Sequence, residues 1–338
     1  MSLIPKPRWA LSLVGIVITS AALAGCGSAG GATAGGPQTS GSAAAKDVGA
    51  DANTEQCGKT SRTIKHDLGT TTVRGTPSRV VVLEFSFVDA VVNLGVKPVG
   101  IADDNDPDRL IPALKDKVGK YTPLGLRASP NLQVITSLKP DLILADSQDN
   151  AGIYAQLSKI APTIAVASEA AGYQDTINSE KVVAQAMGKC EQMDTVLAHH
   201  EKVMQGFKNR VPKGEARKVL FAISTDTGVS GYTEGGFAPG VLAALGLRSP
   251  LPDTGGDAQV AMSLETMVST RPDVLFVAPH PGKLLLDQWA TTSLWDSIPA
   301  VAHDKVYKMN QNLWSRARGL TAAEEIAEQA VDKLYGAS

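Results

Sequence analysis

Nothing in this sequence marks a nucleophile. No serine lies in a G-x-S-x-G elbow, since Gly228-Val229-Ser230-Gly231 breaks the spacing, and Gly58-Lys59-Thr60 lacks the upstream glycine of a phosphate loop. Histidine is sparse, with His66, His199, His200, His280 and His303 scattered along the chain. Adjacent residues such as His199 and His200 diverge by about 100° on a helix, so they cannot share a metal, and we expect them on a solvated helix face. A bare transition metal wants three or four converging ligands, so no metal site and no catalytic residue is expected. Charge of one sign is also lacking: 32 Lys and Arg against 34 Asp and Glu leave a net charge of −2. No basic stripe points to nucleic acid. The apolar, uncharged run from Trp9 to Gly25 falls short of the about 20 apolar residues that a membrane-spanning helix needs.

What that run does resemble is an export signal. Lys6 and Arg8 precede it, and small residues lead up to Cys26. Leu23-Ala24-Gly25-Cys26 matches the bacterial lipobox, in which the cysteine thiol receives diacylglycerol once the peptide bond before it is cut. Residues 1–25 are therefore read as a lipoprotein signal peptide, and Cys26 as the lipidation site. Two acyl chains hold a protein on a membrane where one is marginal. Residues 26–60 carry Gly, Ala, Ser and Thr with almost no large apolar side chain, too little to offset the entropy of ordering, and read as a flexible tether. An exported chain sits where disulfides persist, so Cys57 and Cys190 form a candidate bridge, although spacing alone does not fix their proximity.

Short aliphatic or β-branched runs bounded by Gly, Pro or Asp read as buried parallel strands: Arg79 to Leu83, Lys97 to Ile101, Pro140 to Ala145 and Thr163 to Ala167. A second set follows at Lys218 to Ile223, Val274 to Ala278 and Lys305 to Met309, with helical patterns at Phe237 to Leu245 and Thr321 to Leu334. Between the sets, apolar positions from Val182 to Val203 recur at helical spacing, with a break admitted near Gly188. The expected fold is α/β: an amino-terminal lobe over 61–172, a connecting helix over 173–210 and a carboxy-terminal lobe over 211–338. Each lobe has a central, mostly parallel sheet, with a ligand cleft between them.

Candidate recognition residues fall where strand ends would line that cleft. Phe85 and Ser86 follow the first strand, Asn105 the second, and Arg127 lies in a loop before the third. Tyr232 sits in a Gly-rich turn of the second lobe, and Trp314, Arg316 and Arg318 precede the last helix. Arginines beside aromatics suit a bulky anion, because each guanidinium offers a fork of donors while a ring covers apolar faces. The acidic run Asp103 to Asp108 lacks the glycine and terminal glutamate of a calcium loop and reads as a polar turn leading into a helix near Arg109 to Leu114.

Several blocks together carry a resemblance. Arg79-Val80-Val81-Val82-Leu83-Glu84, Ile101-Ala102-Asp103-Asp104-Asn105-Asp106, Leu138-Lys139-Pro140-Asp141 and Trp314-Ser315-Arg316-Ala317-Arg318-Gly319 are similar to the substrate-binding lipoproteins of iron-siderophore ABC importers, in their ferric-citrate-binding branch. The resemblance implies a non-enzymatic, monomeric carrier with little closure, which delivers an Fe(III) chelate to a membrane permease and needs no cofactor. Ferric citrate leads; a hydroxamate or catecholate siderophore, cobalamin or haem, or a non-transport envelope lipoprotein are the alternatives. The branch carries arginine near Asp149-Asn150 and near His280-Pro281, and the absence of both here would favour a less charged ligand. It docks on the permease through one glutamate per lobe. Glu265 matches one of these positions, and Gln133 stands at the other.

Overall fold

The computed structural model describes residues 56–255, 257–282 and 284–336, all within one compact unit. The expected signal peptide, Cys26 and most of the expected tether lie outside the described residues. No helix among the described residues is long and apolar enough to cross a membrane.

A hairpin of β1 (Ser61–His66) and β2 (Gly69–Arg74) opens the described chain. The first lobe is a five-stranded parallel sheet. Its strands are β3 (Val80–Val82), β4 (Gly100–Ile101), β5 (Thr122–Pro123), β8 (Leu142–Asp146) and β9 (Thr163–Val166), in the order β5-β4-β3-β8-β9. Inserted before β8 is a small antiparallel hairpin, β6 (Gly125–Leu126) with β7 (Ser129–Pro130). Helices α1 (Phe85–Asn93), α2 (Pro112–Val118), α3 (Leu132–Ser137) and α4 (Tyr154–Ile160) connect the strands. Every residue of β3 and β8 is buried, the mark of a sheet covered on both faces, and this explains their unbroken aliphatic runs.

The segment expected as one connecting helix is two: α5 (Tyr173–Met187) and α6 (Cys190–Arg210). Gly188 ends α5 in the left-handed region at φ 68°, a conformation that a residue with a Cβ enters at a cost. Cys57 and Cys190 are joined as a disulfide, Cα to Cα 6.1 Å, tying the first hairpin to the start of α6. Arg62 adds to that tie, its Nη2 donating to Ala186 O at 2.9 Å.

The second lobe pairs β10 (Val219–Ser224), β11 (Val229–Tyr232), β12 (Gln259–Met262), β13 (Val274–Pro279) and β14 (Val306–Lys308) in the order β12-β11-β10-β13-β14. The run β10-β13-β14 is parallel, whereas β11 and β12 are antiparallel. Its helices are α7 (Phe237–Ala244), α8 (Leu264–Thr270), the short α9 (Leu285–Trp289), α10 (Ser293–Asp296) and α11 (Pro299–Ala302), and the closing α12 (Leu320–Tyr335). One apolar cluster runs from Val82 and Phe85 through Val183 of α5 to Phe221, Phe276 and Ile326, so the core is continuous from lobe to lobe.

His199 and His200 do not share a solvated face. His200 is buried on α6, with Nδ1 2.8 Å from Glu324 Oε1 of α12 and Nε2 2.5 Å from the Tyr173 hydroxyl of α5. The turn of helix that exposes its neighbour carries it inward, and a buried imidazole is tolerated because both nitrogens find partners.

Two further buried groups hold the start of α12. Asp89 of α1 accepts from Thr321 N at 2.9 Å and Thr321 Oγ at 2.8 Å, and Glu180 of α5 accepts from Leu320 N at 3.2 Å. Burial pushes both carboxyls up, Asp89 to about 6, and the Asp89 charge adds to the rise at Glu180. A carboxyl raised in the fold stabilises it fully at pH values where the unfolded form is protonated too, and that stability is lost as pH climbs through the folded value. His66, held down to about 4 by burial, acts oppositely, but only as pH falls below the ordinary 6.5. Unfolding stability is therefore expected to decline as pH rises through about 6, where Asp89 ionises, and on above 6.5, where His66 no longer offsets the loss from Glu180. Glu180→Gln, which copies the protonated acid, should stabilise the protein at the upper end and flatten the profile. Denaturant titrations across that window check this; a variant with the parent's slope would show that Glu180 is not the group responsible.

Candidate functional site

The loops that leave the carboxyl ends of the parallel strands meet between the lobes, where open α/β sheets place their ligands. From the first lobe come Glu84 after β3, Asp103 to Asp106 after β4, Arg127 at the tip of the β6–β7 hairpin, and Ser168-Glu169 after β9. From the second come His280 after β13 and the segment 310–318 after β14.

Arg127 is the hub. Its Nη1 donates to both Glu84 oxygens at 2.8 Å and to Glu169 Oε2 at 3.0 Å, and its Nε donates to Asp104 Oδ2 at 3.0 Å. The guanidinium lies 4.7 Å over the Phe85 ring. Glu84 is buried at the start of α1, and its own N-cap bond to Phe85 N fixes it there. Burial pushes its carboxyl up to about 7, against the pull of Arg127. Asp104, by contrast, is held below the ordinary carboxylate range by its bonds to Arg127 and Arg109, which outweigh its partial burial. Asp104 and Asn105 adopt left-handed backbone at φ 59° and 58°, a turn that suits Asp and Asn, and the Asp103 side chain caps it by accepting from Asn105 N at 3.1 Å.

Asp146 at the end of β8 sets the neighbouring loops. Its carboxylate accepts from Gln148 N and Asp149 N at 2.7 Å and from Ser168 N and Glu169 N at 2.9 Å. Asn150 is buried and structural, donating to Arg127 O at 2.9 Å. Where the resemblance led us to look for an arginine, this side chain therefore holds the Arg127 loop.

Across the cleft, Asn312–Arg316 forms one π-helical turn, a geometry frequent at functional sites. Arg316 donates to Asn312 Oδ1 at 2.8 Å, and Asn312 in turn donates to Asp108 O of the first lobe at 2.8 Å. Burial and the nearby cations Arg109 and Arg127 hold Arg316 below its ordinary value. Burial, followed by Arg316 and Arg109, likewise lowers His280. Arg318 is buried, with Nη1 3.3 Å from Glu169 Oε2. Four arginines from two lobes therefore converge on one place.

Of the candidates named from sequence, Arg127, Arg316 and Arg318 join this cluster and Asn105 is exposed at its rim. The others sit behind it. Trp314 is withdrawn: only 2% exposed, it packs against Phe276 and Phe221 at 4.9 and 5.6 Å between ring centroids, and its Nε1 donates to Gln329 at 2.9 Å. An indole buries more apolar area than any neighbour, so the core claims it. Tyr232, at the end of β11 and not in a turn, has its ring tilted 5.1 Å from Phe221, but its hydroxyl reaches forward to Ser315 and into the fields of Arg318 and Glu169. Phe85 and Ser86 form the first turn of α1; Phe85 supports Arg127, and Ser86 Oγ lies 2.6 Å from Ser168 Oγ. Arg109 and Glu169 were missed. The signal for Glu169 was its place just beyond a parallel strand; for Arg109 it was the acidic turn before it, which needs a cation.

Glu265 and Gln133 are both exposed, and each is the second residue of its helix, after a capping Ser263 or Asn131.

Two α/β lobes on a continuous core, with cations gathered at the strand ends between them, define a ligand-binding protein. The profile of the periplasmic binding protein family matches residues 80–313, and the chain belongs to that family. It is 41% identical over 277 residues to the Fe(3+)-citrate-binding protein YfmC of Bacillus subtilis (strain 168), covering 82% of this chain and 87% of that one. It is 35% identical over 269 residues to the Fe(3+) dicitrate-binding periplasmic protein FecB of Escherichia coli (strain K12), covering 80% and 89%. Among solved structures, Staphylococcus aureus SirA complexed with staphyloferrin B aligns with a TM-score of 0.71 at 26% identity, over 80% of this chain and 98% of that one.

Proposed function

We propose that this protein captures an anionic Fe(III) chelate outside the cytoplasm and delivers it to the permease of an ABC importer, with ferric citrate the leading ligand. The observation that carries the reading is the convergence of Arg109, Arg127, Arg316 and Arg318, in which Arg316 is crowded by like charges. Such a cluster is relieved by an anion, and forked donors match carboxylates in pairs. The names of YfmC and FecB point to the same ligand. In this reading iron enters already chelated, as the names of both relatives describe. Cys26 would hold the protein at the outer face of the membrane, and Glu265 would meet the permease from the second lobe.

Calorimetric titration with ferric citrate, a neutral ferric hydroxamate and a ferric catecholate tests the ligand, with citrate expected to bind tightest. Glu265→Ala should leave that affinity unchanged and lower ferric-citrate uptake by cells. A ranking that puts the neutral chelate first would overturn the charge argument, and a parallel fall in affinity and uptake for Glu265→Ala would place that residue in the cleft.

A further inference from the structure

The three carboxylates on Arg127 are not equivalent. Glu84 is 1% exposed and spends both oxygens on Arg127; Asp104 is 8% exposed and accepts from Arg127 N, Arg127 Nε and Arg109 Nη1 at 2.9, 3.0 and 2.6 Å. Both are built into the first lobe. Glu169 is 42% exposed and makes its contacts through one oxygen, Oε2, which lies between Arg127 Nη1 of one lobe at 3.0 Å and Arg318 Nη1 of the other at 3.3 Å. Its main chain is pinned, Glu169 N donating to Asp146 Oδ2 at 2.9 Å, so the side chain can leave by rotation alone. Arg318 meanwhile keeps a buried Nε without an acceptor among the described residues. An arginine 7% exposed with a donor unmet is a group waiting for an acceptor that the chain does not supply.

We infer that Glu169 is a specificity residue that holds the place of a ligand carboxylate between Arg127 and Arg318. An entering chelate that carries a free or iron-bound carboxylate displaces the Glu169 side chain into solvent, takes over its two guanidinium contacts and reaches the unmet Arg318 Nε. A ligand without such a group cannot repay the two charge-assisted bonds that must break. The same carboxylate that keeps the empty cleft near electrical balance thereby sets what an anionic chelate must displace, whereas a neutral chelate leaves it in place and gains neither arginine. This inference rests on the reading of the cleft as an anionic-chelate site.

The test is a titration of the full chain and of Glu169→Gln with ferric citrate and with ferrichrome, a neutral hydroxamate chelate. Glutamine keeps the shape and removes the competing charge, so ferric citrate should bind about tenfold more tightly, while ferrichrome gains less than twofold. Glu169→Asp, which keeps the charge on a shorter reach, should fall between parent and glutamine variant; a residue that served only to support the loop would show no such order. Unchanged or weaker ferric-citrate binding by a Glu169→Gln protein that melts like the parent would overturn the placeholder role while the cleft reading stands. A parent that binds no anionic ferric chelate would overturn both together.

Discussion

Replacing Arg127 by alanine is expected to cost about 3–5 kcal/mol of folding stability, more than any other change in the cleft, because it strands a buried carboxylate. Glu84 is 1% exposed, and Arg127 is the cation that balances it. The loss should depend on pH in a definite direction. With its carboxyl already pushed up to about 7, Glu84 can answer the missing cation by taking a proton, so the deficit should shrink as pH falls toward about 6. Arg127→Lys restores charge without the fork and should recover part of the stability. Urea unfolding of parent, Ala and Lys variants at two pH values decides the matter. An alanine variant as stable as the parent above pH 7 would mean that the Glu84 carboxylate finds enough water to do without Arg127. Affinity for an anionic chelate should also fall, but in this variant it must be read against the stability change.

Arg316→Ala should give the opposite separation. Among the described residues Arg316 donates to Asn312, and it sits half-buried in the fields of Arg109 and Arg127, so removing it relieves repulsion and leaves the melting temperature level or higher. In a site that receives an anion, its loss should weaken ferric citrate by about 1.5–3 kcal/mol, or roughly 10- to 150-fold. Lysine at the same position should recover only part of that, because a point charge does not pair two carboxylate oxygens at once. If the variant melts lower and binds as before, Arg316 is a brace for the π-helical turn and the chelate lies elsewhere.

The two variants differ for a reason that no single-residue reading of the chain contains. Both are arginines beside aromatics in loops after strands. One is embedded among three carboxylates; the other has none in hydrogen-bond reach among the described residues. Trp314 shows the same limit in the apolar direction. Adjacency to arginine along the chain suggested a covering role, yet Trp314 faces Phe221 and Phe276 on the far side of its turn. Helical winding, not sequence distance, decides which neighbour points where.

What was legible in the sequence was whatever repeats along it. Buried strands such as Val80–Val82 and Val274–Pro279 are continuous aliphatic runs because both faces of their sheets are covered, and the two sets of runs divide the chain into its lobes. The hairpin of Ser61–His66 with Gly69–Arg74 carries an equally plain alternation, buried at every second residue of its first strand, yet belongs to neither set. The sequence by itself thus determined the α/β class and its two lobes, and it pointed to the strand ends as the proposed cleft and to arginine as its proposed chemistry, from local pattern and from the rule that ligands sit at the carboxyl ends of parallel strands. Only the tertiary structure decided that Glu84, Asp104 and Glu169 share one arginine, that Glu169 reaches across to Arg318, and that Asp89 and Glu180 meet at the start of α12. Those are contacts between residues far apart in the chain, and their energies depend on burial and on distances of a few ångströms, which composition and spacing do not encode.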